Sequence, residues 1–313
     1  MIHITDKQVA ELLDYRSVYF ALEQAFTDLS KDAASIHGRQ RSECSGTRLS
    51  TMGAVWSTEA VAGVKVYPTV AGQFSFAIVL FDLATNSAIA ILDGNEITRL
   101  RTAAMTAFVA SRVAPLRARK LALFGAGLQG RSQAQALCEL FDFEEVCIVD
   151  PMADPEWCAQ FQAGIRANVR VAAPEQAVRG ADIVVTATRS QQPVFDGAWL
   201  SPGAFVAAMG TSAPKGRELD DTTMERAARI IVEWKPQSLA EAGEIALWEG
   251  RHGCNKFADL TELIRADLPW RADPSDVTVF KSVGVGLSDI ATAHLAVKRL
   301  RAVGGATRTR ATT

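Results

Sequence analysis

The chain has 313 residues, which is enough for two domains that each bury a hydrophobic core. Its formal net charge is −2 and charged residues make up 22% of it, so no basic excess exists to attract nucleic acid or an anionic membrane surface. No apolar run approaches the roughly 20 residues that a membrane-spanning helix needs.

The cysteines and histidines indicate neither a disulfide framework nor a metal site. The five cysteines are odd in number and irregularly spaced, which is typical of free thiols in a reducing compartment, so we expect a cytoplasmic protein. The four histidines are scattered, and the neighbouring pair His252 and Cys254 lacks partner ligands. We therefore predict no bound metal.

The N-terminal part begins with a helical pattern and continues with strands. Apolar residues near a 3.6-residue period predict a helix over 5–30, which Thr5 or Asp6 would cap. From about residue 39 to 92 the pattern predicts strands, and "FAIVLFDLATNSAIAIL" has two apolar runs around a turn, as in a hairpin. After the next Asp-Gly turn, "EITRLRTAAMTAFVASRVA" is helical.

From residue 119 to about 235, short apolar runs alternate with helix-length polar segments. The runs are "KLALFG", "EVCIVD", "VRVAA", "DIVVTAT", "AFVAAMG" and "RIIVEW". Such runs are typical of strands that are buried on both faces of a parallel sheet. A further run, "VTVFKSVG", leads into the amphipathic helix "LSDIATAHLAVKRLRAV". The sequence thus predicts an α/β fold.

A glycine-rich loop follows the first of these strands and opens a helix. It contains Gly125, Gly127 and Gly130, and the next predicted strand ends in Asp150. This is the dinucleotide-binding pattern, in which the glycines allow a tight turn, close approach of the pyrophosphate and close packing of the helix on its strand. Asp150 would accept hydrogen bonds from a ribose 2′-OH and repel a 2′-phosphate, so we expect NAD(H) to be preferred. NADP(H) is the alternative cofactor, because Arg131 in the following helix could reach a 2′-phosphate.

Four cationic residues stand out in the largely apolar N-terminal part: Arg39, Arg41, Lys65 and Arg101. Most lysines and arginines are only surface charges. A guanidinium near an ammonium, however, is a good receptor for a substrate carboxylate. Arg101 is the most suggestive if Thr102 caps the following helix, because a cation at that end of the helix dipole needs an anion beside it. The argument fails if the helix begins near Asn95.

Five segments, in order, resemble the ornithine cyclodeaminase/mu-crystallin family between about residues 39 and 297. They are "GVKVYPT", "LFDLATNSAIAILDGNEITRLRTAA", "FGAGLQGRSQ", "TATRSQQPVFDGAWLSPGAFVAAMGTSAPKGRELDD" and "TVFKSVGVGLSDIATA". The resemblance implies a Rossmann-type doubly wound parallel sheet over 117–285. It also implies a discontinuous α+β domain for substrate binding and dimerisation, over 1–116 and 286–313.

The resemblance also implies roles for individual residues. Lys65 and Arg101 would contact the substrate carboxylate with a third cation, for which Arg41 is favoured over Arg39. The residues implied in the cofactor site are Gly125, Gly127, Leu128, Gln129, Gly130, Asp150 and Thr188, with Ser282, Val283 and Gly284 near the nicotinamide.

One departure from the family pattern bears on the reaction. Cyclodeaminases and the related alanine dehydrogenases carry an aspartate where this chain has Ser212 in "MGTSAPKGREL", and the ketimine reductases of the family lack it too. A serine is a poor base without an activating partner, so we expect reduction of a cyclic imine carboxylate to proline or pipecolate. Glu218 or Asp220 could replace the missing acid, which keeps ornithine cyclodeaminase or an alanine-type amino-acid dehydrogenase as alternatives. The third alternative is a crystallin-like protein that binds its ligand but has little turnover.

The expected partners are a cyclic imino or amino acid, a nicotinamide dinucleotide and a second copy of the chain. The strand-rich segment 39–92 has few predicted partners for its apolar faces, and another subunit usually covers such a surface. The resemblance implies a homodimer as well.

Overall fold

The computed structural model describes residues 1–153, 155–251, 255–266 and 270–310, and side chains up to residue 303. His252 and Cys254, which are predicted to bind no metal, lie outside the described residues. The chain divides into two compact units. Unit 1 is Met1–Met105 with Gly284–Thr313, and unit 2 is Thr106–Val283.

Unit 1 is built on a sheet of seven strands in the described residues, with the order β1-β7-β6-β4-β3-β2 and β5 paired to β4. The strands are β1 (Ile2–Ile4), β2 (Ala34–Cys44), β3 (Thr47–Trp56), β4 (Val61–Val70), β5 (Gln73–Phe74), β6 (Ala77–Asp82) and β7 (Ser87–Asp93). The helices are α1 (Asp6–Leu12), α2 (Tyr15–Ser30), the first part of α3 (Asn95–Val113), and α11 (Gly286–Arg310). The hairpin predicted around "TNS" is β6 and β7, and the pairing is antiparallel.

The helix predicted over residues 5–30 is two helices. Leu13 has an extended backbone (φ −122°, ψ 146°), which ends α1. Thr5 caps α1, and Asp14 caps α2 by accepting from the Ser17 N–H at 2.7 Å. A second cap inside an apolar period starts a new helix there, because the capping side chain satisfies N–H groups that lack helical partners.

Unit 2 is built on a sheet of eight described strands, and their order is β10-β9-β8-β11-β12-β15-β13-β14. The strands are β8 (Lys120–Phe124), β9 (Glu145–Val149), β10 (Asn168–Val171), β11 (Ile183–Thr186), β12 (Phe205–Ala208), β13 (Ala227–Val232), β14 (Phe257–Asp259) and β15 (Val277–Lys281). The helices are α4 (Leu128–Cys138), α5 (Pro155–Ala163), α6 (Pro174–Val178), α7 (Asp221–Arg226), α8 (Lys235–Glu241), α9 (Gly243–Ala246) and α10 (Leu260–Ala266).

All strand pairs of this sheet are parallel in the described part of the chain. Every residue of β11 and β12 is buried, which explains the unbroken apolar runs. The predicted α/β fold with a doubly wound parallel sheet is therefore confirmed. None of the described helices combines the length and the apolar character that crossing a membrane requires.

Candidate active site

The glycine loop joins β8 to α4 at the carboxyl edge of the unit 2 sheet. Gly125 has φ +90°, a conformation that few other residues adopt. A Cβ on Gly130 would lie 1.8 Å from the Gly125 carbonyl oxygen, so only glycine permits this close packing. A Cβ on Gly127 would meet no atom within 4 Å, which leaves open space on that side of the loop. The loop thus has the shape that a pyrophosphate group requires.

The first turn of α4 faces this loop without a capping side chain. Gly127 is the N-cap residue and makes no side-chain hydrogen bond to the helix. The N–H groups of the first turn, which includes Leu128 and Gln129, and the positive end of the helix dipole suit a phosphate. These residues therefore fit the pyrophosphate of a dinucleotide.

Asp150 follows β9 and holds the glycine loop. Its Oδ2 accepts from the Ala126 N–H at 2.6 Å, and its Oδ1 accepts from the Met152 N–H at 2.8 Å. Arg131 contacts the same residue, because its Nε donates to the Ala126 carbonyl at 2.7 Å. The Arg131 guanidinium lies 4.5 Å from the centre of the Trp157 ring. A carboxylate and a guanidinium thus both lie beside the loop.

Thr188 follows β11 and lies against the glycine loop. Its Cγ2 is 3.2 Å from the position that a Cβ on Gly125 would take. Its N–H and hydroxyl both donate to Oε1 of the buried Glu218, at 2.7 and 2.8 Å. The other oxygen of Glu218 accepts from the Gly210 N–H at 2.7 Å. The sequence pattern predicts no role for this carboxylate in the cofactor site. It links the segments that follow β11 and β12.

The acids considered as substitutes for the aspartate absent at Ser212 have structural partners. Both oxygens of Glu218 are occupied as described. Asp220 caps α7 by accepting from the Thr223 N–H at 2.8 Å and also accepts from the Gly197 N–H at 3.0 Å. Ser212 itself is exposed. The structure therefore gives neither acid the free oxygen of a general base.

Buried carboxylates also fix the segment after β15. Ser282 donates its hydroxyl to Oε2 of Glu233 at 3.0 Å, and the Val283 N–H donates to the same oxygen at 3.2 Å. Lys281, fully buried, lies 2.9 Å from Oε2 of Glu244. Acidic residues are mostly exposed, so nothing in the sequence indicates that these two glutamates are buried.

Unit 1 contains a buried cluster of charge around Asp289. Its Oδ1 lies 2.9 Å from Nζ of Lys65 and 3.2 Å from Nε of Arg101. Asp289 is 0% exposed, Lys65 1% and Arg101 6%. Lys65 also donates to the Thr98 hydroxyl. One carboxylate therefore contacts two cations, and the cluster has a positive charge that an anion would offset.

The cluster perturbs its own proton equilibria. Burial lowers the pKa of Lys65 to about 8, since the attraction of Asp289 offsets this only in part and Arg101 adds to the lowering. Burial alone would raise the pKa of Asp289, but Arg101 and Lys65 outweigh it and hold that pKa below its usual value. Asp289 thus stays ionised while Lys65 can exchange a proton near neutral pH.

The position of Arg101 in the cluster does not depend on a helix N-terminus at Thr102. Helix α3 begins at Asn95, so Thr102 does not cap it and the dipole argument fails. Gly284 instead allows the guanidinium its place. Gly284 has φ +72°, and a Cβ at this position would lie 2.7 Å from Nη1 of Arg101.

The two candidates for the third cation both lie on β2 but differ in exposure. Arg39 lies in an irregularity of the β2–β3 pairing and donates from Nη2 to the Gly284 carbonyl at 3.1 Å. Arg41 is exposed and pairs with Ser50, which in turn pairs with Tyr67. Arg41 therefore shares the face of the sheet that carries Lys65 but lies one row further along. Arg39 is the arginine nearer the cluster, and Arg41 is the more accessible one.

No group of three or more His, Cys, Asp or Glu side chains suited to a metal occurs among the described residues.

Comparisons with known proteins show the family to which the chain belongs. The family model of the ornithine cyclodeaminase/mu-crystallin family matches residues 3–303. The chain belongs to this family. Ketimine reductase mu-crystallin from Mus musculus is 35% identical over 220 residues, which cover 70% of this chain and 67% of that protein. Δ1-pyrroline-2-carboxylate reductase from Bacillus cereus is 31% identical over 229 residues, 71% of this chain and 70% of that one.

Among solved structures, a probable ornithine cyclodeaminase from Bordetella pertussis Tohama I superimposes with a TM-score of 0.94. It is 41% identical, and the match covers 97% of this chain and 98% of that one. Family members thus include proteins named as ketimine reductases and one named as a probable cyclodeaminase.

Proposed function

We propose that this family member reduces a cyclic imine carboxylate, Δ1-pyrroline-2-carboxylate or Δ1-piperideine-2-carboxylate, to proline or pipecolate with NAD(P)H. The chain is an oxidoreductase of the class that acts on C=N bonds, as its ketimine reductase relatives are. The observation that carries the proposal is the buried contact of Lys65 and Arg101 with the single carboxylate of Asp289.

The charge of this cluster supports a carboxylate as the ligand. Two buried cations share one anion, and buried charge is costly unless it is paired. Asp289 contacts Nε of Arg101, so the Nη groups remain for a planar, two-point contact with a carboxylate. Arg41 is the proposed third contact.

Lys65 supports reduction of the imine bond. A reduced nicotinamide, when bound, supplies the hydride. The imine carbon accepts a hydride more readily once its ring nitrogen is protonated, and an ammonium with a pKa of about 8 can give up that proton. Asp289 then neutralises the remaining positive charge and holds Nζ in place.

Ornithine cyclodeamination has less support here. After oxidation at the α-carbon, the side-chain amine must be held and deprotonated before it attacks the imine. Ser212 is neutral, and both Glu218 and Asp220 are engaged elsewhere. Reduction of a preformed ring requires no such base.

The test compares the purified protein on Δ1-pyrroline-2-carboxylate or Δ1-piperideine-2-carboxylate with NADH or NADPH against L-ornithine with NAD⁺. We expect imine reduction to exceed proline formation from ornithine. A comparable rate from ornithine would overturn the proposal. Tight binding of cofactor without turnover of any imine would favour the binding-protein alternative.

We predict a preference for NADH over NADPH in kcat/KM. The Asp150 carboxylate beside the loop would repel the 2′-phosphate of NADPH. The guanidinium of Arg131 lies nearby and would reduce this repulsion. Replacement Asp150→Ser should shift the ratio toward NADPH by about tenfold, since one charge contact is worth roughly 1.4 kcal/mol or more. Arg179→Ser, a change of an exposed charge in unit 2, should leave the ratio unchanged. A wild type that prefers NADPH contradicts the prediction.

We predict that kcat/KM for imine reduction falls as the pH rises through about 8. Below that pH Lys65 is protonated, so it can bind the substrate carboxylate and supply a proton. Above that pH Lys65 loses its charge, and with it both the contact with the carboxylate and the proton. The measurement is a pH profile of kcat/KM for the wild type and for Lys65→Arg, whose side chain stays charged. An identical alkaline limb in both proteins would assign the titration to another group.

We predict a homodimer. The residues Val55, Ala62 and Phe81 pair across three strands of the unit 1 sheet, and the Val55 and Phe81 side chains are 46% and 41% exposed. An apolar row of this kind is commonly covered by another subunit. Light scattering should give twice the monomer mass of 33.7 kDa, and Val55→Glu should lower it. The matched change at the 96% exposed Leu116, Leu116→Glu, should not. A monomer at micromolar concentration would contradict the prediction.

A further inference from the structure

We propose that Tyr67, Phe74 and Phe76 form an aromatic wall that binds the ring of the substrate, with Phe76 as the residue that determines ring specificity. The proposal rests on the proposed function and adds the substrate class, an imine carboxylate with an uncharged, apolar ring. The three rings are in mutual contact. Their centres are 5.0 Å apart for Tyr67 and Phe76, 5.8 Å for Phe74 and Phe76, and 6.2 Å for Tyr67 and Phe74.

The aromatic wall lies next to Lys65, one of the cations proposed to bind the substrate carboxylate. Nζ of Lys65 lies 4.2 Å from the centre of the Phe76 ring and 6.0 Å from that of Tyr67. An ammonium has three protons, and those of Lys65 are directed in part to Asp289 and Thr98. A carboxylate bound to Lys65 would therefore place the rest of its molecule close to Phe76.

The backbone around Phe76 is held in place before any ligand binds. The Gly94 N–H donates to the Phe76 carbonyl at 2.9 Å. A Cβ on Gly94 would lie 2.7 Å from Cβ of Phe76, so the start of α3 packs directly against this residue. Preorganisation of this kind is expected of a surface that selects its ligand, because little ordering entropy is lost on binding.

The aromatic wall extends from the core to the surface. Tyr67 is 8% exposed, Phe76 is half-buried and Phe74 is 53% exposed. Phe74 and Phe76 lie nearly parallel, with an angle of 10° between their planes. A ligand can therefore reach apolar surface next to Lys65 from the outside of unit 1.

The chemistry of this surface selects an uncharged ring. The CH₂ groups of a five- or six-membered ring lose water favourably against an aromatic face. A side chain that ends in a guanidinium or ammonium would be desolvated near the cations Lys65 and Arg101. A second carboxylate would meet the negative face of the aromatic rings. The wall therefore disfavours imines of dicarboxylic amino acids, and the cations Lys65 and Arg101 beside it disfavour imines of basic amino acids.

The experiment measures kcat/KM with NADH for two imines. One is Δ1-piperideine-2-carboxylate, which has a ring, and the other is the open-chain imine of pyruvate and methylamine. Replacement Phe76→Ala should lower kcat/KM for the ring by about tenfold or more, and that for the open-chain imine by less than about threefold. Phe76→Leu keeps an apolar side chain and should retain the preference for the ring. Phe20→Ala, which removes a 53% exposed phenyl group from α2, is the matched control.

Binding separates a failure of this proposal from a failure of the proposed function. Pyridine-2-carboxylate is a stable ring carboxylate, and calorimetry on the NAD⁺-loaded protein should show its Kd rise about tenfold in Phe76→Ala, with that of pyruvate unchanged. If binding follows this pattern while no imine is reduced, the aromatic wall stands and the proposed function is overturned. Equal losses for ring and open-chain ligands, or a wild type that reduces the imine of oxaloacetate and ammonia as well as the ring, would overturn the aromatic wall.

Discussion

Replacing Asp289 by Asn is expected to lower the free energy of unfolding by about 3–5 kcal/mol, the range for breaking a buried ion pair by removal of one partner. The Asp289 side chain is fully buried, and Oδ1 contacts both Lys65 and Arg101. Asn keeps the size of the side chain but loses its charge, so two buried cations would remain close together without an anion. Urea denaturation followed by fluorescence measures the change.

The matched control for this prediction is Lys298→Gln, a charge-neutralising change on the same helix α11. Lys298 is 57% exposed and pairs with Glu59 at 3.0 Å. Exposed pairs contribute about 1 kcal/mol or less, so the two variants should differ several-fold in their effect. If Asp289→Asn were as mild as Lys298→Gln, the two cations would not depend on that carboxylate.

The fold could largely be predicted from the sequence because its signals are local. Apolar runs bounded by polar segments mark the strands of unit 2, and each run found in the sequence between residues 119 and 235 is a strand. The apolar period does not predict the break at Leu13, since it continues across this residue and only the cap at Asp14 marks a new helix. The strand β14 (Phe257–Asp259) cannot be predicted from the sequence pattern, because three residues are too few to show a period.

The glycine loop could be interpreted in detail for the same reason. Its proposed role in cofactor binding depends on the backbone conformation of Gly125 and on the close packing of Gly130, and both are properties of neighbouring residues. The partners of the cationic residues could not be predicted in this way. Asp289 is 224 positions from Lys65 and 188 from Arg101, so no local pattern joins them.

The buried acids of unit 2 show the limit of composition as evidence. Glu218, Glu233 and Glu244 are each 0% exposed, yet in the sequence they resemble the many exposed glutamates. They are internal because parallel strands end at one edge, where loop N–H groups and Lys281 need acceptors. That need is visible only after the strand order is known.

Arg101→Ala is expected to lower kcat/KM for imine reduction by roughly ten- to a hundredfold or more, while the Kd for NADH barely changes. A charge-assisted contact to a desolvated carboxylate is worth about 1.5–3 kcal/mol, and this sets the range. Arg101 is 6% exposed, so a ligand in contact with it is shielded from water. Arg101→Lys should also be costly, because an ammonium cannot reproduce the planar contact while Asp289 occupies Nε.

The same assay distinguishes the two arginines of β2. Arg41 is exposed on the face that carries Lys65, so Arg41→Ala should raise KM for the imine and leave the free energy of unfolding nearly unchanged. Arg39 donates to the Gly284 carbonyl, and Gly284 lies against the guanidinium of Arg101, so Arg39→Ala should lower stability together with activity. If Arg39→Ala alone raised KM without a change in stability, Arg39 would be the third carboxylate contact. If Arg101→Ala left imine reduction intact, the buried cluster around Asp289 would be a structural element, and the carboxylate receptor would have to lie elsewhere in the molecule.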